Sequence, residues 1–376
     1  MPSKDGDHVT FRHIFIAVMG MTGVGKSTLI KNLTRSDDVI VGHGVESCTS
    51  VVSAHTFQHG QYIVNLIDTP GFNDTNRSDT EILKEVAVWL ATTYRARSRL
   101  TGIIYLHRIS DNRMGGSAIL NLNMFKLLCG DDCLPNVVLA TTMWSDPHHA
   151  QQEFVAQELR ETELTTKAKF WGGLSNKGAT ITRYDNTLDS ALRIVAHLEH
   201  QPEIVLDIQR QIVEEHLTLV QTPAGRFLNE EILLKEEELK HELETAREQM
   251  NDALREKDEN FAAETKKEMV DIKTKLAQAE IDRGGLHTDL EEKLEEREEQ
   301  IQRLANMAEG FGLRAAATRS AGGLGVLGLA AFMMAGGPAE LAGVTTAALA
   351  KELGERVLLF TLEAARGIVS SVEPLL

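Results

Sequence analysis

A glycine-rich segment near the N-terminus has the residue types and spacing of a phosphate-binding loop. It fits the pattern G-x-x-x-x-G-K-[ST], follows a predicted buried strand at 11–19 and precedes a predicted helix. Glycines let backbone N–H groups surround a phosphate, and the helix N-terminus adds a positive dipole end. We therefore predict that Lys26 contacts the β- and γ-phosphates of a nucleoside triphosphate and that the Ser27 hydroxyl binds Mg²⁺. The predicted nucleotide-binding residues are Gly20, Met21, Thr22, Gly23, Val24, Gly25, Lys26, Ser27 and Thr28.

A second candidate element, Asp68-Thr69-Pro70-Gly71, ends the predicted strand 62–68. A carboxylate at the carboxyl edge of a sheet can hold a magnesium-bound water, so Asp68 is a predicted metal residue. The backbone N–H of Gly71 is predicted to contact the γ-phosphate. The strand pairs in our prediction with 51–57 as a hairpin around His59-Gly60.

The elements around these motifs alternate between strands and helices. Further predicted strands are 102–107, 136–142 and 179–184, and predicted helices are 79–97, 117–129, 147–161 and 187–200. This alternation calls for a mainly parallel sheet with helices on both faces. The predicted fold class is α/β, a three-layer P-loop NTPase domain over residues 11–200 whose hairpin adds one antiparallel edge strand.

GMTGVGKS and DTPG, with a predicted hairpin between them, resemble the motifs of the translation-factor-related class of P-loop GTPases. Residues 11–200 are similar to its septin-like branch, which includes immunity-associated GTPases and chloroplast import receptors. The resemblance implies GTP and GDP as ligands, Mg²⁺ as cofactor, and a threonine after the first helix that contacts Mg²⁺ and the γ-phosphate. Thr49 matches that threonine best, and its catalytic role beside Lys26 is implied in this way. Thr22, Ser47 and Ser50 match less well, and a strand-edge hydroxyl is the alternative for Thr49.

The segment that reads the base departs from the family pattern [NT]-K-x-D. Thr142 takes the first position, Met143 replaces the lysine, and Asp146 comes one residue late. Asp146 can accept from the N1–H and exocyclic amine of guanine if the loop bulges by one residue, while Met143 or Trp144 covers the ring. Trp144 can alternatively be a core side chain at the strand end. GTP is the expected nucleotide, on the resemblance more than on this loop.

The residue after Gly71 bears on turnover. Ras-like proteins have a glutamine there that orients the attacking water, whereas this chain has Phe72, which can neither donate nor accept a hydrogen bond. We therefore expect slow hydrolysis unless another residue or a second protomer completes the site. Arg77 is either a charge supplied across a dimer or a solvated loop arginine.

Residues 229–305 are highly charged, with apolar positions spaced by three and four. These positions include Leu239, Leu243, Ala246, Met250, Ala253, Met269, Ile272, Leu276, Ala279, Leu294, Ile301 and Leu304. The pattern predicts the heptad seam of a coiled coil, bent around Gly284-Gly285, and a rod of roughly 115 Å if it is continuous. We expect a homodimer or oligomer through this seam and the G domain. A solvated single helix and an intramolecular hairpin folded at the glycines are the alternatives.

The remaining C-terminal segments are a helical linker at 201–228 and a Gly/Ala-rich helical tail at 309–376. Within the tail, residues 320–339 carry no charge and are just long enough to span a bilayer. Membrane association through this segment is one prediction. A helical hairpin that packs on itself or on the G domain is the other.

Composition excludes several kinds of protein. A formal net charge of −16 argues against nonspecific nucleic-acid binding. Three cysteines without a C-x-x-C pair fit a reducing compartment, and the polar N-terminus predicts no secretory signal, so we expect a cytoplasmic protein, membrane-associated if the tail inserts. His148-His149 matches no ligand spacing, so Mg²⁺ is the only metal expected.

Three functions fit these patterns. The first is a GTP-controlled switch or assembly protein whose G domains pair when loaded. The second is an enzyme with its own chemical output, such as a kinase, although no segment resembles an acceptor-substrate domain. The third is a coiled-coil interaction protein whose nucleotide site is vestigial or constitutively loaded.

Overall fold

The computed structural model describes residues 11–35, 52–74 and 76–310. Three expectations from the sequence lie outside these residues: the roles of Thr49, Ser47 and Ser50, the loop around them, and the 320–339 segment with its membrane attachment. These stay predictions.

Six strands and ten helices follow one another along the described chain, apart from short 3-10 turns. The strands are β1 Arg12–Gly20, β2 Ser53–His59, β3 Tyr62–Asp68, β4 Gly102–Arg108, β5 Val137–Thr142 and β6 Thr180–Arg183. The helices of the first part are α1 Lys26–Thr34, α2 Asp79–Arg95, α3 Gly116–Cys129, α4 Gln151–Thr166, α5 Gly172–Ser175, α6 Leu188–Ala196 and α7 Asp207–Val213. The last three are α8 Pro223–Glu256, α9 Glu259–Leu286 and α10 Glu291–Gly310.

The strands form one sheet in the order β2-β3-β1-β4-β5-β6. All neighbours are parallel except β2, which pairs antiparallel with β3 through the predicted hairpin. The strands are buried because helices cover both faces of the sheet. One apolar core lies around α2, α3 and α7, and another lies around α1 and α6. The predicted α/β class and mainly parallel sheet are confirmed.

The register brings the predicted site residues to one edge of the sheet. Val18 on β1 pairs with Asp68 on β3, and Gly20 pairs with Leu106 on β4. A Cβ atom on Gly20, whose φ is 136°, would lie 2.5 Å from the Leu106 carbonyl oxygen. Only glycine therefore lets β1 turn into the phosphate-binding loop beside β4.

The helix predicted at 147–161 begins later and ends later than expected. Asp146 accepts backbone hydrogen bonds from the N–H groups of His149 and Ala150, which makes a turn of residues 146–150. The helix can start only after that turn, at Gln151. It then continues to Thr166, since Leu164 in its last turns is buried in the core.

The continuous rod is wrong, because the chain reverses at Lys257. Lys257 adopts a left-handed conformation with φ 60°, and the Asp258 side chain caps α9 by accepting from the Phe261 N–H at 3.0 Å. Helices α8 and α9 thus form an αα-hairpin, in which the predicted seam packs within one chain. Its cluster contains Leu239, Leu243, Ala246 and Ile272, flanked by Met269 and Leu276. The intramolecular alternative holds, but the chain reverses at Lys257 and not at Gly284-Gly285. The predicted bend at these glycines agrees with the end of α9 at Leu286, after which α10 begins at Glu291.

Within the described residues, every helix is too short or too polar to cross a lipid bilayer.

A buried histidine next to the site gives a prediction about acid stability. Burial lowers the pKa of His107 from 6.5 to about 4, the charge of Asp111 opposes this shift, and the charge of Arg108 adds slightly to it. The His107 ring lies 6.0 Å from that of Trp171. The unfolded chain takes up this proton near pH 6.5 and the folded chain only near pH 4. Stability from the neutral ring is therefore present above pH 6.5 and is lost as the pH falls toward 4, by on the order of 3 kcal/mol.

We expect His107→Phe, which keeps a ring beside Trp171, to flatten this dependence. Urea unfolding at pH 7.0, 5.5 and 4.5 measures it. Equal losses in free energy of unfolding for the variant and the parent chain would contradict the assignment.

Candidate functional site

The phosphate-binding loop lies at the carboxyl edge of the sheet, between the end of β1 at Gly20 and the start of α1 at Lys26. Gly25 is the N-cap of α1 with φ 96°, and no side chain caps this helix end, in contrast to α2, where Ser78 accepts from the Glu81 N–H. The first N–H groups of α1, which include those of Ser27 and Thr28, are thus left for another acceptor. An uncapped helix N-terminus that follows a glycine loop is suited to a phosphate.

The Lys26 ammonium group lies inside this loop. Its Nζ donates to the carbonyl oxygens of Gly20 at 3.2 Å and Met21 at 3.0 Å, and the residue is only 7% exposed. Burial lowers the pKa of Lys26, while the charges of Asp68 and Asp74 oppose that shift. A buried cation held by carbonyl groups is ready to exchange them for phosphate oxygens.

Ser27 and Asp68 meet where a metal ion is expected. The Ser27 hydroxyl donates to Asp68 Oδ2 at 3.0 Å, which joins α1 to the end of β3. Hydroxyl and carboxylate oxygens are the hard donors that Mg²⁺ prefers, and Mg²⁺ takes its other ligands from water and phosphate. These two residues fit the predicted Mg²⁺ site.

The loop after β3 lies directly against the phosphate-binding loop. Thr69 Oγ1 donates to the Val18 carbonyl at 2.8 Å, which fixes the start of this loop to β1. A Cβ atom on Gly71 would lie 2.5 Å from Thr22 N and 2.7 Å from Lys26 Nζ. Thr22 also donates its hydroxyl to the Gly71 carbonyl at 3.2 Å and its N–H to the Phe72 carbonyl at 3.2 Å.

Asp74 is a site residue that our sequence reasoning missed. Its Oδ2 accepts from the Thr22 hydroxyl at 3.4 Å, and its charge acts on Lys26. The available signal was an acidic residue shortly after Gly71. An acidic residue at this place in the sequence does not predict the contact with Thr22, because the contact depends on how this loop folds over the phosphate-binding loop.

Phe72 and Arg77 each contact other parts of the same chain. The Phe72 side chain is 7% exposed and belongs to the core around α2. Arg77 Nη2 donates to the Glu81 carbonyl at 3.4 Å, and its Nε lies 3.8 Å from the Glu81 carboxylate. Arg77 thus contacts the first turn of α2.

The end of β5 is tied to the phosphate-binding loop at the predicted base-reading segment. Thr142 Oγ1 donates to the Val24 carbonyl at 2.8 Å. Met143 has a left-handed backbone with φ 58° and is 48% exposed, and its Cε lies 3.7 Å from the place where Gly25 would carry a Cβ. Met143 therefore lies alongside the loop, as a side chain that covers a base would.

Trp144 belongs to a different group of side chains. Its Nε1 donates to Thr141 Oγ1 at 3.1 Å, the Arg183 guanidinium lies 4.1 Å from its ring centroid, and Phe154 of α4 lies 5.7 Å away. Of the two roles considered for Trp144, these contacts favour the structural one.

Asp146 is exposed at the start of the turn before α4. Its Oδ1 accepts from the His148 N–H at 2.8 Å and its Oδ2 contacts His149 Nδ1 at 2.5 Å. These hydrogen bonds lower the pKa of Asp146, so the carboxylate is charged at neutral pH. A charged acceptor is what recognition of guanine requires, although the turn already uses part of its capacity.

Residues 15–120 match the family model described as 50S ribosome-binding GTPase. Together with the sheet order and the phosphate-binding loop, this match supports a G domain of the P-loop GTPase class, which is the class predicted from the sequence. No curated protein sequence matches the chain significantly.

Solved structures similar to this chain are G proteins of several kinds. Toc33 from Arabidopsis thaliana with GDP and Mg²⁺ is 14% identical with a TM-score of 0.40, covering 52% of this chain and 89% of that one. Era with MgGDPNP and a 16S ribosomal RNA fragment is 15% identical with a TM-score of 0.36, covering 54% and 64%. The G domain of the T. maritima FeoB transporter is 17% identical with a TM-score of 0.31, covering 50% and 99%.

Proposed function

We propose that this chain binds GTP and GDP with Mg²⁺ and acts as a nucleotide-controlled switch or assembly module with slow intrinsic hydrolysis. The observation that carries the proposal is the buried Lys26 ammonium group, held by two loop carbonyl groups beside the Ser27–Asp68 pair. A buried lysine in a glycine loop, beside a hydroxyl–carboxylate pair at the carboxyl edge of a parallel sheet, is suited to bind a triphosphate together with Mg²⁺.

Each residue has a defined part in the proposal. Backbone N–H groups at the start of α1 bind the phosphates, and Lys26 neutralises the charge between the outer two. Ser27 and Asp68 hold Mg²⁺, which when bound neutralises charge on the β- and γ-phosphate oxygens. The N–H of Gly71 donates to the γ-phosphate, so this contact forms with GTP and not with GDP. Thr49 remains the proposed second hydroxyl ligand of Mg²⁺.

Guanine is the proposed base. The left-handed Met143 backbone supports the extra residue of the loop, since it turns the chain between Thr142 and Asp146. Met143 then covers the base beside Gly25, and Asp146 accepts from the guanine N1–H and exocyclic amine. The GTPase description of the matching family supports the same base.

Slow hydrolysis follows from the residue at position 72. Phe72 is packed in the core, so it brings no polar group to the attacking water. If a second protomer completes the site, pairing of the G domains should depend on the bound nucleotide. We propose such a homodimer through the G domain, whereas the seam of the α8–α9 hairpin is already covered within the chain.

The decisive test measures base preference, turnover and mass on the full chain. We expect GTP to displace a fluorescent GDP analogue at a concentration at least about tenfold lower than ATP does. Single-turnover hydrolysis should be on the order of 10⁻³ s⁻¹ or slower, and a non-hydrolysable GTP analogue should increase the mass measured by light scattering.

The other outcomes are equally informative. Equal competition by ATP would contradict the guanine assignment. GTP binding without turnover or any change in mass would favour the constitutively loaded interaction protein over the switch.

A further inference from the structure

The C-terminal helices pack against α2, which follows the loop predicted to contact the γ-phosphate, residues 71–74. Helix α2 begins directly after that loop, and α7, α8, α9 and α10 all pack against it. Three leucines from the end of α9 to α10, each at most 3% exposed, belong to the same core as Phe72: Leu286, Leu290 and Leu294. The loop residue next to Gly71 and the C-terminal helices therefore share one continuous packing unit.

The closest approach is at the first turn of α2. A Cβ atom on Gly285 of α9 would lie 3.0 Å from Thr80 Cγ2, while one on the adjacent Gly284 would meet nothing within 4 Å. Thr80 is buried at 3% exposure. A side chain at residue 285 would thus press against Thr80, whereas one at residue 284 would not.

Asp79 joins the loop and the hairpin. Its Oδ1 accepts from the Asn73 N–H at 2.8 Å, two residues after Gly71. Burial raises the pKa of Asp79 and the Asn73 hydrogen bond lowers it, while Asp282 of α9 and Lys235 of α8 act on it from the hairpin. The loop is therefore held by a carboxylate whose surroundings include both hairpin helices.

Ion pairs fix α10 along the other end of α2. Arg95 contacts Glu291 at 3.0 Å and Glu298 at 3.2 Å, and Arg297 lies 3.3 Å from Glu85. The Arg95 side chain is 22% exposed, so it is partly shielded from solvent. The helices are docked by apolar, polar and ionic contacts on one face of α2.

We propose that the α8–α9 hairpin with α10 is the regulatory element of this G domain, and that its docking on α2 opposes binding of the γ-phosphate. The inference rests on the proposed nucleotide site. With the hairpin docked, Gly71 packs directly against the phosphate-binding loop, since a Cβ atom built on it would lie 2.5 Å from Thr22 N and 2.7 Å from Lys26 Nζ. A γ-phosphate that accepts from Gly71 there requires the 71–74 loop to shift, and Phe72 and Asn73 carry that shift into α2.

Linkage makes the proposal testable without observing the motion. If the triphosphate weakens docking of the hairpin by some factor, then the undocked chain binds the triphosphate more tightly than the docked chain by the same factor. A variant that weakens docking should therefore raise triphosphate affinity, by at most that factor. GDP lacks the γ-phosphate, so its affinity should change little. The quantity to follow is the ratio of dissociation constants for a non-hydrolysable GTP analogue and for GDP.

Gly285→Leu and Gly284→Leu in the full chain form a matched pair. Both replace a glycine near the end of α9 and gain similar helix propensity, but only Gly285→Leu collides with Thr80. We expect Gly285→Leu to increase analogue affinity relative to GDP by at least about fivefold, and Gly284→Leu to change it less than about twofold. Hydrogen exchange at α2 and the end of α9 should also rise with the analogue compared with GDP.

A second pair of variants tests the ion pairs between α2 and α10, whereas the first pair tests the close packing of α9 on α2. Arg95→Glu should shift the ratio in the same direction, while Arg255→Glu, 80% exposed near the hairpin turn, should not. This pair decides the matter if Gly285→Leu fails to fold. Unchanged or opposite ratios for Arg95→Glu and any folded Gly285→Leu would overturn the proposal. Failure of the parent chain to bind either nucleotide would instead refute the nucleotide site itself.

Discussion

Lys26→Ala should lower the affinity for GTP and GDP by at least about 100-fold and leave the fold intact. In the proposed site, Lys26 makes charged hydrogen bonds to two phosphate groups, each contributing about 1.5–3 kcal/mol. The sum of about 3 kcal/mol or more corresponds to two or more powers of ten in the dissociation constant. We expect the fold to be retained because the hydrogen bonds of the ammonium group in the described part of the chain go to two loop carbonyl groups, and its burial costs energy.

The matched control for this variant is Lys31→Ala on the same helix. It removes one lysine from α1 and leaves the phosphate-binding loop unchanged, so its affinity should stay within about threefold of that of the parent chain. Isothermal titration calorimetry measures both, and circular dichroism confirms folding. Equal affinities for the Lys26→Ala and parent chains would remove Lys26 from the site.

Phe72→Ala should destabilise the G domain by about 3–5 kcal/mol, since it removes a large side chain from the core. Phe72 is 7% exposed and packs in the core around α2. Urea unfolding of the full chain, monitored in the absence of nucleotide, gives the free-energy difference. Such a large effect would establish that this position anchors the loop and does not serve the attacking water.

Phe261→Ala makes the same chemical change at an exposed position. Phe261 is 44% exposed at the start of α9, far along the hairpin from the nucleotide site, and its loss should cost less than about 1 kcal/mol. Equal free energies of unfolding for the two variants would contradict the placement of Phe72 in the core. A faster hydrolysis rate in folded Phe72→Ala would also count against slow turnover as we explain it.

Much of the site was predictable because its residues act through the backbone. Gly20, Gly25 and Gly71 are selected by close approach or left-handed geometry, and such requirements leave a local pattern in the sequence. The Ser27–Asp68 pair was predictable for a related reason, since parallel strands bring their carboxyl ends to one edge. The α/β fold follows from the same alternation of short apolar runs and helices.

Other features depended on tertiary contacts that leave no local pattern. Asp74 contacts Thr22 only because the loop folds back, and Trp144 faces Arg183 because β5 lies next to β6. The hairpin illustrates the same limit. Its seam was visible in the spacing of apolar residues, but two glycines were a more obvious breaking point than Lys257, whose left-handed turn needs no glycine.

Titration of the full chain with GTP and Mg²⁺, after removal of any nucleotide that copurifies, tests the central claim most directly. We predict a saturable heat of binding with one site per chain, weakened at least about 100-fold in Lys26→Ala. Absence of a binding heat with both GTP and ATP, from a chain shown to be folded, would contradict the whole account.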